Sequence, residues 1–251
     1  MRCSYFFADV RRVLKNYGIY AAILGVVVSL YFSLENRGLV NGHVLYTYLY
    51  ATEMSGMMIA YVFCAFPFAA SICEDLEYKY IRYQAARGSL KRYVVSKVSV
   101  IYLTSVAVMV LGSMVFVFLC RTEGAWVGQE LDDVEVLLAG VYGCLIEDGH
   151  YAWYCMFYAL QLGLLAGIFS VLAAFFSLFI TNKMTVFALP VLIYQILLES
   201  SGPGKFTVYA FCAYNKYFAK DWQCLLSLFL ASIGFVSILA WGIFRKLRTR
   251  M

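Results

Sequence analysis

Charge is scarce in this sequence. Asp, Glu, Lys and Arg make up 14% of the 251 residues, while 63% are hydrophobic and 18% aromatic. Soluble globular chains carry roughly a quarter charged residues, so the polar surface needed to cover a water-soluble core is missing. Histidine is scarcer still, with only His43 and His150, and that excludes HExxH sites and His-rich metal clusters. GxSxG is absent, and a serine with no histidine base is more often a helix-packing residue than a nucleophile. The acidic group Glu74, Asp75 and Glu77 has no histidine on a later apolar run to work with, which removes the basis for an intramembrane protease. Eight cysteines show neither CxxC nor metal-ligand spacing. Spacing alone leaves a disulfide among Cys144, Cys212 and Cys224 open. No catalytic residue, metal site or cofactor site is expected in this chain.

Long apolar runs are what the sequence has in abundance. Six are read as spans, over residues 16–34, 54–72, 98–120, 152–180, 184–198 and 223–244, near the roughly 20 residues that cross a bilayer as a helix. The expected fold class is an all-α membrane protein of about six transmembrane helices. Residues 1–251 then form a single transmembrane domain, with no room for a separate nucleotide-binding or catalytic domain. The first run follows Lys15 with no small-residue cleavage site after it, so it reads as a retained span. The net charge of +5 sits in basic patches beside apolar runs, which positive-inside topology explains better than nucleic acid does. With the N-terminus inside, fifteen of the 20 Lys and Arg residues lie on the inner side, with only Asp9, Glu74, Asp75 and Glu77 of the acidic ones. Both termini are then cytoplasmic, and the number of spans is even.

The connections carry most of the remaining information. Before the first span, Phe6, Val10, Val13, Leu14 and Tyr17 share one helical stripe and Arg11, Arg12 and Lys15 lie opposite it. That pattern is either an N-terminal amphipathic interfacial helix on the inner leaflet or a basic flank that sets topology. Between the second and third spans, Glu74 to Arg87 predicts a short cytoplasmic helix that stops at Gly88. Ser89 is the expected N-cap of a second helix, which carries Lys91, Arg92 and Lys97 into the third span. Tyr78, Tyr80, Ile81 and Tyr83 make the short helix a docking surface or, on composition alone, a solvated loop with aromatics among the headgroups. Residues 121–150 form an acidic outer connection enclosing an apolar stretch, 134–146, too short to span and read as a surface or re-entrant helix. The last outer connection, 199–222, holds SSGPG and then Phe206, Tyr209, Phe211, Tyr214, Tyr217 and Phe218 at three- and four-residue intervals. It is expected to be a helical element at the outer leaflet and an outer gate. Gln161 and Gln195 are the deepest strongly polar side chains. Each is more often an interhelical hydrogen bond than a substrate contact, and both are kept as possible pathway residues.

The stretch from Glu74 to Lys97 resembles the permease subunit of bacterial ABC transporters with the type-2 exporter fold. The match consists of Glu74 after the second span, a coupling helix up to Arg87, the small-residue turn Gly88-Ser89, and Lys91, Arg92 and Lys97 within GSLKRYVVSK. A looser likeness covers nearly the whole chain, although the acidic outer loop is longer than is typical. The resemblance implies a transport subunit of the bacterial cytoplasmic membrane, not an enzyme, paired with a second permease, identical or related. Cytoplasmic ABC ATPase subunits would carry ATP and Mg, and membrane lipid would surround the pair. It also implies ATPase-coupling roles for Glu74, Glu77, Tyr80, Arg82, Tyr83, Arg87, Gly88, Ser89, Arg92 and Lys97. Two other functions are weighed beside it. One is a substrate-capturing membrane subunit of an importer, for which AAILG in the first span is weak support; the other is a membrane-embedded enzyme, which the missing histidines disfavour.

Overall fold

A computed structural model describes residues 5–34, 38–54, 56–69, 71–77, 89–127, 138, 140–180, 182–200 and 220–250. Apart from one isolated bridge between His43 and Ala125, these residues hold no β-structure. In chain order the helices are α1 (Tyr5–Leu14), α2 (Gly18–Phe32), α3 (Val44–Glu53), α4 (Gly56–Ala65), α5 (Ser71–Glu77), α6 (Leu90–Glu123), α7 (Gly143–Glu147), α8 (Tyr151–Phe176), α9 (Lys183–Ser200) and α10 (Asp221–Arg250).

Three of them, α6, α8 and α10, are long and apolar enough to cross a membrane. The first expected span, 16–34, holds α2, of 15 residues, and the segment expected before it as an amphipathic helix forms α1; the two meet at 63° and together make a fourth crossing if counted as one. Asn16 sets the bend: its Oδ1 accepts the Gly18 N–H at 2.9 Å and its Nδ2 donates to the Pro67 carbonyl at 3.4 Å. The second expected span, 54–72, is not one helix. Met54 is extended (φ −80°, ψ 167°) between α3 and α4, and Pro67 lies in the turn that separates α4 from α5. The fifth, α9, has 18 residues and is about 27 Å long, just short of a typical hydrocarbon core. The apolar stretch 134–146 is also broken, because Tyr142 takes a left-handed conformation (φ 66°) immediately before α7.

The core forms around α8, whose most apolar stretch is 72% buried, against 17% for α10 on the periphery. Small residues let α8 approach α6 closely. Gly163 faces Val106, Gly167 faces the Tyr102 ring, and Ser105 and Ser170 share a hydrogen bond of 2.7 Å. The Tyr102 ring is held on its far side, where its hydroxyl and that of Ser232 on α10 are 2.9 Å apart. Toward the other end, Tyr48 of α3 packs against Tyr158 and Phe116, and Thr52 shares a 3.0 Å hydrogen bond with Tyr158.

Charge is sorted along the bundle. Lys91 at the start of α6 touches Phe244 near the end of α10, so Lys91, Arg92, Arg245, Lys246 and Arg248 gather at one end, with α1 and its arginines alongside. The opposite end carries Glu123, Glu147, Asp148 and Asp221, together with Arg121 and Lys220.

A methyl group at position 167 would stand 2.5 Å from a Tyr102 ring that cannot retreat without breaking its bond to Ser232. Gly167→Ala is therefore expected to destabilise the bundle by about 1–3 kcal/mol. Gly234→Ala, with nothing within 4 Å of the added carbon, is expected to be neutral or stabilising. Thermal unfolding of both variants in detergent checks the difference.

Candidate functional site

At the basic end, the α6 residues Tyr93, Lys97, Val100 and Ile101 recur at three- and four-residue intervals and are all buried. The periodicity that buries the apolar members of this stripe carries the lysine in with them. Only 2% of the Lys97 side chain is exposed. Its ammonium lies 2.9 Å from Asp75 Oδ2 and 3.2 Å from Asp9 Oδ1, and the Phe68 ring stands 4.8 Å from it. Each carboxylate has further partners. The Tyr93 hydroxyl donates to Asp75 Oδ2 at 2.7 Å, Arg12 donates to Asp75 Oδ1 at 3.4 Å, and the Ser96 hydroxyl donates to Asp9 Oδ2 at 3.4 Å. Arg12 also sits 3.8 Å from Glu74, at the solvent edge of the cluster.

Removing an ion from water costs several kcal/mol, and only close counter-charges with their remaining lone pairs satisfied offset that cost. Here one ammonium is shared between two carboxylates, so no member can leave alone without stranding a charge. The three members come from α1, α5 and α6, elements far apart in sequence. The arrangement is therefore a clamp. It has no nucleophile beside a base, and among the described residues no group of His, Cys, Asp or Glu is gathered to hold a metal.

The other expected site residues fall as follows. Glu74 lies on α5 beside Arg12, and Glu77 ends that helix. Ser89 caps α6 as expected, its hydroxyl accepting the Arg92 N–H at 3.4 Å, and Arg92 is exposed. Lys97 is turned inward. Tyr80, Arg82, Tyr83, Arg87 and Gly88 lie outside the described residues, as do Phe206, Tyr209, Phe211, Tyr214, Tyr217 and Phe218. Gln161 is fully buried and accepts a 3.2 Å hydrogen bond from the Tyr142 hydroxyl, which makes it a packing contact between α8 and the turn before α7. Gln195 is half-buried on α9. Asp9, Arg12, Asp75 and Tyr93 are cluster members to which the sequence assigned no site role.

At the acidic end, Cys144 and Cys224 are free thiols, and Cys212 lies outside the described residues. The Cys144 thiol donates to Asp221 Oδ2 at 3.2 Å. That hydrogen bond, with some burial and the nearby carboxylate charge, holds the thiol above the ordinary cysteine range. Thiolate then forms only at higher pH than usual, so Cys144 is expected to alkylate slowly at about pH 8 despite its exposure. Asp221→Asn is expected to move its pH–rate midpoint down, as followed by peptide mapping after iodoacetamide treatment.

Comparison of the chain with protein-family models, curated proteins and solved structures gives no match.

Replacing Lys97 by Met leaves the buried Asp75 and the part-buried Asp9 without their shared counter-ion, and a loss of about 3–5 kcal/mol is expected. The triple variant Asp9→Asn, Asp75→Asn, Lys97→Met removes the charge imbalance and is expected to regain most of that loss. Equal thermal stability of Lys97→Met and the unsubstituted protein would contradict the clamp.

Proposed function

We propose that this chain is the membrane-spanning permease subunit of an ATP-driven exporter. It works with a second permease, identical or related, and with separate cytoplasmic ABC ATPase subunits that bind ATP and Mg. The chain itself is no enzyme. By the positive-inside rule its basic end faces the cytoplasm of a bacterial cell, with both termini there.

The ion cluster is the observation that carries this reading. The segment expected to receive the ATPase, residues 78–88, leaves α5 just after Asp75 and Glu77 and rejoins the bundle at the Ser89 cap of α6. Asp75 and Lys97 join those two flanks through a buried ion pair. A push on the connecting segment would pass through that pair into α6, the longest helix of the bundle. Nucleotide-driven closure of the ATPases would then bias the permease pair between inward-open and outward-open states. On this reading Lys97 acts through Asp75 and not by touching the partner.

The test is co-expression of the chain with a candidate ABC ATPase from the same genome, followed by affinity purification on the permease. The ATPase is expected to co-purify. Arg82→Ala with Tyr83→Ala is expected to insert normally yet lower co-purification and transport roughly tenfold or more, as loss of interface anchors does. Unchanged transport and co-purification in the double variant would sink the reading.

A further inference from the structure

The basic end holds a second feature, separate from the ion cluster. α6 and α10 are joined through Tyr102 and Ser232, but nearer that end a groove of about 360 Å³ opens between them. Val95, Ala240, Trp241 and Phe244 are among the apolar residues that line it. Lys91 lines its outer end, with the ammonium 5.9 Å from the Phe244 ring. Arg245, one residue further along α10, stacks 5.6 Å from Trp241.

Among the described side chains, these cations meet aromatic rings but no carboxylate. The described carboxylates of the basic end, Asp9, Glu74 and Asp75, are taken up by Lys97 and Arg12. Among the described side chains, Lys91 and Arg245 therefore have no ion-pair partner. Lys91 lies one helical turn beyond Val95, about 6 Å along the axis, so the groove runs from a charged mouth into an apolar slot. Its complement is an amphiphile with a negative head and a hydrocarbon tail. Free phosphate would leave the apolar slot empty, and a zwitterionic lipid would bring an ammonium group against Lys91 and Arg245. Anionic lipid heads are attracted to Lys and Arg near a membrane surface, and Trp241 has the amphipathic ring that settles at headgroup level.

We propose that this groove is a binding site for an anionic phospholipid of the leaflet at the basic end, with its phosphate between Lys91 and Arg245 and one acyl chain along Val95 and Ala240. The inference does not depend on the chain having an ATPase partner.

The experiment uses the emission of Trp241. The full chain carrying Trp126→Phe, Trp153→Phe and Trp222→Phe retains Trp241 as its only tryptophan. It is reconstituted in phosphatidylcholine vesicles doped with lipid brominated on the acyl chains, either phosphatidylglycerol or phosphatidylcholine. Brominated phosphatidylglycerol is expected to quench Trp241 at a mole fraction roughly tenfold lower than brominated phosphatidylcholine. Lys91→Glu with Arg245→Glu is expected to abolish that preference. Ala240→Phe, which fills the slot while keeping both cations, is expected to abolish it as well, and excess inorganic phosphate is expected to leave quenching unchanged. Equal quenching by the two lipids before any charge is altered overturns the site. A preference that survives Ala240→Phe overturns it too, since the attraction would then belong to the surface alone, and so does relief of quenching by phosphate.

Discussion

A lysine ammonium that leaves water must have its counter-charges waiting, and that requirement organises one whole end of this protein. Lys97 is drawn inside because it shares a stripe with Tyr93, Val100 and Ile101 on an apolar helix. Asp9 and Asp75 must then come to it. Asp9 brings α1 against α6, and the 63° bend between α1 and α2 is what lets α1 lie there while α2 continues along the bundle. Asp75 brings α5 back under the bundle after the turn at Pro67, and Arg12 closes the outer side of Asp75 and Glu74. Buried ion pairs of this kind add little net stability compared with apolar packing, but they punish any arrangement that separates the partners. The cluster therefore selects one arrangement of three elements.

Away from that end, the bundle is held by close backbone approach. Lipid tails are as apolar as the helix surfaces, so apolar contact alone does not drive helices together in a bilayer. The α6–α8 seam relies on Gly163, Gly167 and the Ser105–Ser170 hydrogen bond, and the α6–α10 seam on Tyr102 and Ser232. α10 packs along a narrow stripe that includes Cys224, Leu228, Ser232, Ile243 and Leu247, and leaves Phe229, Ile233, Phe235, Ile238 and Trp241 exposed. That outward surface suits lipid or a second membrane subunit, whereas the interior position of α8 suits a structural spine.

Apolar runs made the long helices legible before any coordinates, because α6, α8 and α10 are uninterrupted and length alone separates them from buried soluble helices. Ser89 was legible as a cap because serine before a helix-forming run has one dominant use. The second expected span is less regular than its hydropathy. Residues 54–72 look continuous by hydropathy, yet the helix breaks at Met54 and turns at Pro67, and α3 lies entirely before the expected start. Two of the three members of the ion cluster were also within reach. Lys97 sits inside VVSKVSV on the buried stripe, and Asp9 borders the apolar face of Phe6, Val10 and Val13, so both positions signalled inward-facing charge. Asp75 carried no such signal, because its partner is set by how α5 folds back and not by its own neighbours in sequence.

The most direct measurement is the reactivity of individual lysines toward a small amine-modifying reagent, read by peptide mass spectrometry on the full chain in detergent. Lys91, exposed six residues before Lys97 on the same helix, is the internal reference. A buried clamp predicts that Lys91 is modified in the folded protein while Lys97 stays unmodified until the bundle unfolds. It also predicts that Asp75→Asn with Asp9→Asn makes Lys97 reactive under native conditions. Modification of Lys97 at the rate of Lys91 in the unsubstituted protein would contradict the account.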